Sequence, residues 1–268
     1  MTSDLTQDNT TSESNKYDIN DSVEALGVTA LYPDGKKEKK ETAVISEHNL
    51  NVLVNEKDVY RLVCTKDNLK ELVIGRLLTD GIIETMDDIF KIVFCRYDEE
   101  ASVFLKKDIS WEDRIEVTPT CCTGNKTYAS SKVKSVLKKL PEYKWKPEWV
   151  FKLAEEFKKG SKLHNMTSGN HIAILAVEGE IQFICEDIGR HNAVDKAVGY
   201  ALMKGIPLSR AMLFTSGRVP VDMVEKVISA GIPVLVSKSV PTKESVEMAG
   251  EYGLNLICRA WPDRCEIY

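Results

Sequence analysis

Residues 171–217 read HIAILAVEGEIQFICEDIGRHNAVDKAVGYALMKGIPLSRAMLFTSG. Two apolar runs, HIAILAVEG and EIQFICEDIG, come first, then a segment from Asn192 to Lys204 with helical spacing, then a third apolar run, AMLFTSG. Short β-branched runs alternating with helical segments are the mark of an α/β domain. The alternation continues through a Val221–Ala230 helix, the strand IPVLVSKS, a Lys243–Tyr252 helix and the strand LNLICRA. Strand, helix, strand connections of this kind imply a largely parallel sheet with helices packed on it. In such sheets ligands gather beyond the carboxyl ends of the strands. Here EDIGRHN, TSGR, SKSVPT and CRAWPDR all follow apolar strands, so four strand ends are expected to converge on one site.

The first half reads differently. Val23–Leu31 and Glu41–Asn55 alternate apolar and polar residues as half-buried antiparallel strands do. From Asn68 the spacing of Leu69, Leu72, Val73, Leu77 and Leu78 predicts a helix that stops at Gly81. Ile89–Phe94, Ala101–Lys106 and Ile115–Val117 read as strands, TPTCCTGNKTY (118–128) as a loop, and Lys132–Lys139 and Pro147–Lys158 as helices. The Lys- and Pro-rich stretch 138–147 is the expected linker. The organisation read from this is a polar, disordered tail over 1–20, a smaller strand-rich α+β region over 21–145 that ends with the cysteine loop and helix, and an α/β domain over 146–268.

With 268 residues, 43% hydrophobic and 29% charged, the composition is that of an ordinary globular protein. A formal net charge of -5 argues against a nucleic-acid coat. The opening residues lack the basic and apolar regions of a secretory signal, and no apolar run approaches the ~20 residues of a membrane span, so a cytoplasmic location away from membrane is expected. Seven cysteines, odd in number and scattered, do not suit a disulfide framework.

Cys121 and Cys122 stand apart, because they sit in a Thr-, Gly- and Asn-containing loop near Lys126 and a predicted helix start, surroundings that stabilise thiolate. Packing beneath the loop is the plain alternative for either thiol. A deaminase-type zinc centre needs an H-x-E partner, which is absent, and adjacent cysteines lack the two-residue gap of a common zinc chelate, so no catalytic zinc is expected. In EDIGRHNAVDK the groups of Glu186, Asp187, Arg190, His191 and Asn192 crowd into seven residues; Asn192 suits a helix cap, and an Asp187–Arg190 ion pair is the structural alternative. Thr215, Ser216, Gly217 and Arg218 suit a phosphate turn with a guanidinium clamp. Ser237, Lys238, Ser239 and Thr242 suit either phosphate or the cap of the Lys243 helix, and Arg259, Trp261, Asp263 and Arg264 suit a stacked purine.

Taken together, EDIGRHNAVDK, TSGR, MVEK (223–226), GIPVLVSKSVPT (231–242) and CRAWPDR, with GRLLTDGII (75–83), resemble the FdhD family. The resemblance implies a cytidine-deaminase-like three-layer α/β domain with a mainly parallel sheet, and a second, smaller domain. It implies a sulfurtransferase that receives sulfur from a cysteine desulfurase as a persulfide and delivers it to the molybdenum bis(molybdopterin guanine dinucleotide) destined for the catalytic subunit of formate dehydrogenase. The family carries its sulfur on a C-x-x-C loop, where this chain has adjacent cysteines; Cys121 matches the first, leaving Cys122 as a resolving or alternative thiol. The family's cofactor-binding stretch maps to Ile257, Cys258, Arg259, Ala260, Trp261, Pro262, Asp263 and Arg264. Thr215, Ser216, Gly217, Arg218, Ser237, Lys238 and His191 complete the expected site. Symmetry suggests a homodimer, placing two loops near a cofactor with two pterins. A chaperone that only shelters the cofactor, or a zinc nucleotide deaminase, are the competing readings.

Overall fold

The structure, a computed structural model, describes residues 22–117, 125–131 and 137–268. The apolar runs that open the second half form β9 (His171–Val177) and β10 (Glu180–Asp187). Only Glu178 and Gly179 join them, with φ of 52° and 80°. Two consecutive left-handed residues make the tight turn that matches strand twist, and a two-residue connection can only return antiparallel. The strands therefore pair as a hairpin, with Val177 opposite Glu180.

β11 (Ala211–Thr215), β12 (Val234–Ser237), β13 (Asn255–Trp261) and β14 (Arg264–Ile267) complete a six-stranded sheet of order β10-β9-β11-β12-β13-β14. Pairs β11–β12 and β12–β13 are parallel, while β9–β10, β9–β11 and β13–β14 are antiparallel. The sheet is thus mixed, where the strand-helix alternation predicts a mainly parallel one. The two short turns, at 178–179 and at Pro262–Asp263, account for the difference, since neither leaves room for a crossover helix. The parallel part is built by α4 (Arg190–Met203), α5 (Val221–Ser229) and α6 (Lys243–Tyr252).

α2 (Pro147–Lys159), with proline in its first turn, buries Val150, Leu153, Ala154 and Phe157 on one face of this sheet. The opposite face packs beneath α4 and α5, whose apolar residues continue without a break into α1 (Leu69–Thr79) and a second sheet. That sheet has the order β5-β6-β3-β4-β8-β7, from β3 (His48–Val54), β4 (Lys57–Cys64), β5 (Ile89–Phe94), β6 (Glu100–Leu105), β7 (Trp111–Val117) and β8 (Lys126–Ser131). β1 (Val23–Leu31) and β2 (Lys37–Ile45) form a separate two-stranded ribbon, and the short α3 (Lys162–Thr167) packs against β2.

Several local expectations change. The single alternating run 41–55 is divided between β2 and β3 at Ser46–Glu47, and the loop expected through Tyr128 is strand from Lys126. The first five residues of the expected Lys132–Lys139 helix lie outside the described residues, and 137–146 has no regular secondary structure. The expected tail over 1–20 and Cys121 and Cys122 also lie outside the described residues.

α1 and α4 meet through glycines. A Cβ on Gly75 would stand 1.8 Å from the Asp195 carbonyl oxygen, and one on Gly199 would stand 1.9 Å from that of Glu71. Backbone touches backbone at this crossing, which fixes how the two sheets are spaced.

Candidate functional site

β10 delivers Asp187 into the interior between the two sheets, and Gly189 starts α4 directly afterwards. The first two turns of α4 carry Arg190, His191, Asn192, Asp195 and Lys196, all buried. Lys196 Nζ donates to Asp67 Oδ1 (2.7 Å), Thr65 Oγ1 (2.8 Å) and the Glu186 carbonyl (3.0 Å), and forms an ion pair with Asp187 Oδ2 (2.8 Å). A buried ammonium is tolerated because it is paired and saturated with acceptors. Its pKa is raised: burial alone lowers it, but Asp187 and Asp67 more than offset that. Asp67, half-buried, is held below the usual carboxylate range: desolvation alone would raise it, and Lys196 more than offsets that.

Asp187 therefore pairs with Lys196, not with Arg190. Nor does Asn192 cap the helix. Its Nδ2 donates to Asp187 Oδ1 (2.9 Å) and the Val63 carbonyl (2.8 Å), and its Oδ1 accepts from Asn125 Nδ2 (2.7 Å). Asn125 in turn accepts from Val63 N (2.8 Å). The residue that follows the cysteine-bearing segment by three positions is thereby fastened to EDIGRHN. A second ion cluster lies deeper on α4, where Lys226 Nζ donates to Asp195 (2.8 and 3.0 Å) and Thr79 (2.8 Å).

The expected strand ends do converge. β9 runs antiparallel to its neighbours, so its start, His171, lies beside the ends of β10 and β11: Asp187 pairs with His171, and Thr215 with Ala173. His171 Nδ1 is 3.2 Å from Ser216 Oγ, which also accepts from Ile172 N (3.0 Å). Gly217 presses on Arg190, such that a Cβ there would meet the Arg190 side chain at 2.8 Å. Ser237 Oγ donates to the Gly217 carbonyl (2.7 Å), Lys238 N to the Thr215 carbonyl (3.2 Å), and Arg259 N to the Ser239 carbonyl (2.8 Å). Lys238 Nζ sits 5.5 Å from both the Trp261 and Phe157 rings, and those rings meet edge to face.

Cationic groups dominate this face. The pKa of His171 is pushed down to about 4, first by burial and then by Arg190, His191, Lys238 and His164. A neutral imidazole beside Arg190, Lys238 and a hydroxyl suits an anionic ligand, and the aromatic rings suit a planar one.

Not every expected residue is placed to touch a ligand with its side chain. Ile257, Cys258 and Ala260 point into the core on one face or the other, leaving only their backbone for contact. Arg259 takes a left-handed φ of 48° at the β13–β14 irregularity and is exposed, with its guanidinium on Glu266 (3.2 Å). Trp261 is 37% exposed, Pro262 and Asp263 form the hairpin turn, and Asp263, Arg264 and Arg218 face outward. Thr215 and Ser237 are buried and hold the turns in shape. Thr242 caps α6, accepting from Ser245 N (3.3 Å). Phe157, His164, His171, Asn125 and Asp222 also belong to the cluster and carried no sequence signal, except that His171 opens an apolar strand.

Among the described cysteines, Cys64, Cys185, Cys258 and Cys265 all have thiols pushed up by burial, Cys258 to about 12. Cys95 is exposed. Among the described residues, no group of three or more His, Cys, Asp or Glu is arranged to hold a metal ion, and no helix is long and apolar enough to cross a membrane.

A mixed sheet whose strand ends gather cations and aromatic rings, clamped to a second sheet by a buried lysine network, defines an α/β protein of two joined sheets. The chain belongs to the FdhD/NarQ family, whose model matches residues 45–268. It is 29% identical over 247 residues to the sulfur carrier protein FdhD of Bacillus subtilis, covering 89% of this chain and 93% of that one. The sulfur carrier protein FdhD of Streptomyces avermitilis is 31% identical over 242 residues, covering 84% and 86%. The fold matches a crystal structure from Desulfotalea psychrophila, provisionally assigned as a formate dehydrogenase accessory protein, with a TM-score of 0.75 and 23% identity over 92% of this chain and 96% of that one.

Proposed function

We propose that this protein is a sulfurtransferase that carries sulfur as a persulfide and passes it to the guanylated molybdenum cofactor used by formate dehydrogenase. The carrying observation is family membership over 45–268, with relatives named sulfur carrier proteins. Four of the five described cysteines have thiols disfavoured as thiolate by burial, which suits packing and not attack, and the fifth, Cys95, is exposed. The carrier on this reading is Cys121, with Cys122 as its resolving or alternative partner.

A thiolate attacks the outer sulfur of a cysteine desulfurase persulfide, the donor S–S bond breaks, and the donor cysteine leaves as thiolate; one sulfur moves and no net electrons do. The cofactor, molybdenum bis(molybdopterin guanine dinucleotide), is the substrate of the second transfer. Its anionic phosphates suit the cations at Lys238, Arg190 and Arg218, and a guanine suits Trp261, stacked beside Lys238. The 21–145 region then presents the carrier while 146–268 holds the nucleotide, in a cytoplasmic homodimer that meets the desulfurase and the formate dehydrogenase catalytic subunit in turn.

Intact-protein mass spectrometry after incubation with a cysteine desulfurase and cysteine tests this. A reducible gain of one sulfur, absent in Cys121→Ala, is expected. No gain in any form leaves a chaperone that only shelters the cofactor.

A further inference from the structure

The β1–β2 ribbon belongs to neither six-stranded sheet. It lies ahead of the residues matched by the family model, which begin at Ile45. A two-stranded hairpin alone in water is marginally stable, and further strands are what usually secure it. Here α3 packs against β2, but among the described residues no strand pairs with the outer edge of β1. Leu26 and Leu31 on β1 are 46% and 68% exposed.

The two ends of the ribbon fix which groups that edge offers. Tyr32 N donates to the Lys36 carbonyl (3.0 Å) and Ser46 N to the Ser22 carbonyl (2.9 Å), so the even-numbered residues of β1 are those bonded to β2. The alternation of an antiparallel ladder then turns the N–H and C=O of Val23, Ala25, Gly27, Thr29 and Leu31 outward. The free edge of β2 is guarded: Lys37, Glu38, Lys39, Lys40 and Glu41 are consecutive, and charged side chains, lysine above all, keep edges from pairing. β1, VEALGVTAL, has one charged residue, Glu24, and no proline. One edge of the ribbon is closed to another strand and the other is open.

We propose that β1 pairs antiparallel with β1 of a second copy of this chain, joining two ribbons into a four-stranded sheet across a two-fold axis at Gly27. Gly27 is the midpoint of the nine-residue strand, so this register overlaps the whole strand and opposes Val23 to the partner's Leu31, Ala25 to the partner's Thr29 and Gly27 to itself. The five such pairs exchange two hydrogen bonds each, about ten in all, the number of a standard-sized interface. On the other face Leu26 lies opposite the partner's Val28 and Glu24 opposite the partner's Ala30, so apolar residues cover one another and no like charges meet. Such self-complementarity is what a two-fold contact requires. Gly27 itself is a mid-strand glycine with neither a positive φ nor a crowded Cβ, since nothing stands within 4 Å of that position. Its own chain gives no reason for it, and the close approach of a second backbone at the axis does. The homodimer of the reading above thereby gains an interface, and the proposal rests on that reading for nothing else.

The test is sedimentation equilibrium of the full chain at micromolar concentration, comparing wild type with Ala25→Pro and Ala43→Pro. Ala25 and Ala43 face each other across the ribbon, and the N–H of each points away from the other strand, so either proline leaves the β1–β2 bonds in place and costs the ribbon alike. Only Ala25→Pro removes a donor to a second β1, and the two-fold doubles the loss. A dimeric wild type is expected, with dimerisation at least about a hundredfold weaker in Ala25→Pro and unchanged in Ala43→Pro. A monomeric wild type overturns the proposal. Ala25→Pro as dimeric as wild type also overturns it, leaving a dimer built on another surface, and equal weakening by both prolines overturns the choice of edge. If Ala25→Pro does not fold by circular dichroism, Gly27→Cys decides. Two thiols at the axis, on Cα atoms about 5.5 Å apart, should join under mild oxidation in a disulfide that peptide mass spectrometry maps to residue 27 of both copies. Glu41→Cys, opposite Gly27 on β2, should form none. Absence of the bond at residue 27 overturns the proposal. Sulfur loading is read separately: a monomeric wild type that loads keeps the carrier and removes the ribbon contact, whereas a ribbon-paired dimer that never loads keeps the contact and removes the carrier.

Discussion

Replacing Gly75 by alanine tests how the two sheets are held together. The new methyl carbon would lie 1.8 Å from the Asp195 carbonyl oxygen, 2.6 Å from its carbon and 2.9 Å from Gly199 N, all of them backbone atoms that no rotamer can move aside. Ordinary contact begins near 3.4 Å, so α1 and α4 must part by more than an ångström. Parting them loosens the seam of Leu72, Ile74 and Val198 and pulls Thr79 from Asp195, a bond of 2.9 Å. Overpacking of this kind costs about 1–3 kcal/mol or more. Alanine's better helix propensity returns at most about 1 kcal/mol. A net loss of about 2 kcal/mol is expected, or a fall of roughly 0.7 M in the urea midpoint for a slope of about 3 kcal/mol/M. Gly250, on the exposed side of α6, is the control, because a Cβ there meets nothing within 4 Å. Gly250→Ala should stabilise by about 0.5–1 kcal/mol. Urea titrations followed by circular dichroism decide it, and Gly75→Ala as stable as wild type, or behaving like Gly250→Ala, would refute the close-crossing argument.

Lys196→Met removes the cation that compensates Asp187 and Asp67, and should cost about 3–5 kcal/mol; adding Asp187→Asn should recover part of that, which equal urea midpoints for the single and double variants would contradict. His171, whose folded value of about 4 lies below the unfolded 6.5, should stay neutral by NMR at pH 5.5. Because the unfolded chain binds that proton first, this contribution, about 3 kcal/mol at most, is complete above pH 6.5 and is lost as the pH falls toward 4. A normal imidazole titration near 6.5 in the folded protein would count against it. Trp261→Ala should weaken guanosine diphosphate binding about tenfold by calorimetry, since the ring supplies both the stacking face and one side of the Lys238 seat; unchanged affinity would place the base elsewhere.

The strand and helix segments of the second half could be read from the chain because each is a local pattern of apolar residues. Convergence of EDIGRHN, TSGR, SKS and CRAW could be read as well, since strand ends in such a sheet share an edge. Strand direction was less accessible: V-E-G-E makes the tight turn that reverses β10, and a turn is a conformational preference of two residues that competes with the pull of the surrounding alternation. The resemblance carried by EDIGRHNAVDK pointed to the family before any coordinate. Only the tertiary structure decided that Asp187 belongs to Lys196, that Asn192 reaches Asn125 and not its own helix end, and that Phe157 and His171 join the site. The Asn192–Asn125 bond spans 67 positions and the Lys196–Thr65 bond of the same network 131, and composition, periodicity and spacing hold only local information. The Gly75–Gly199 crossing lies in the same class. Each glycine looks like a mild flaw in its own helix, and only the approach of the other backbone explains why no side chain fits there.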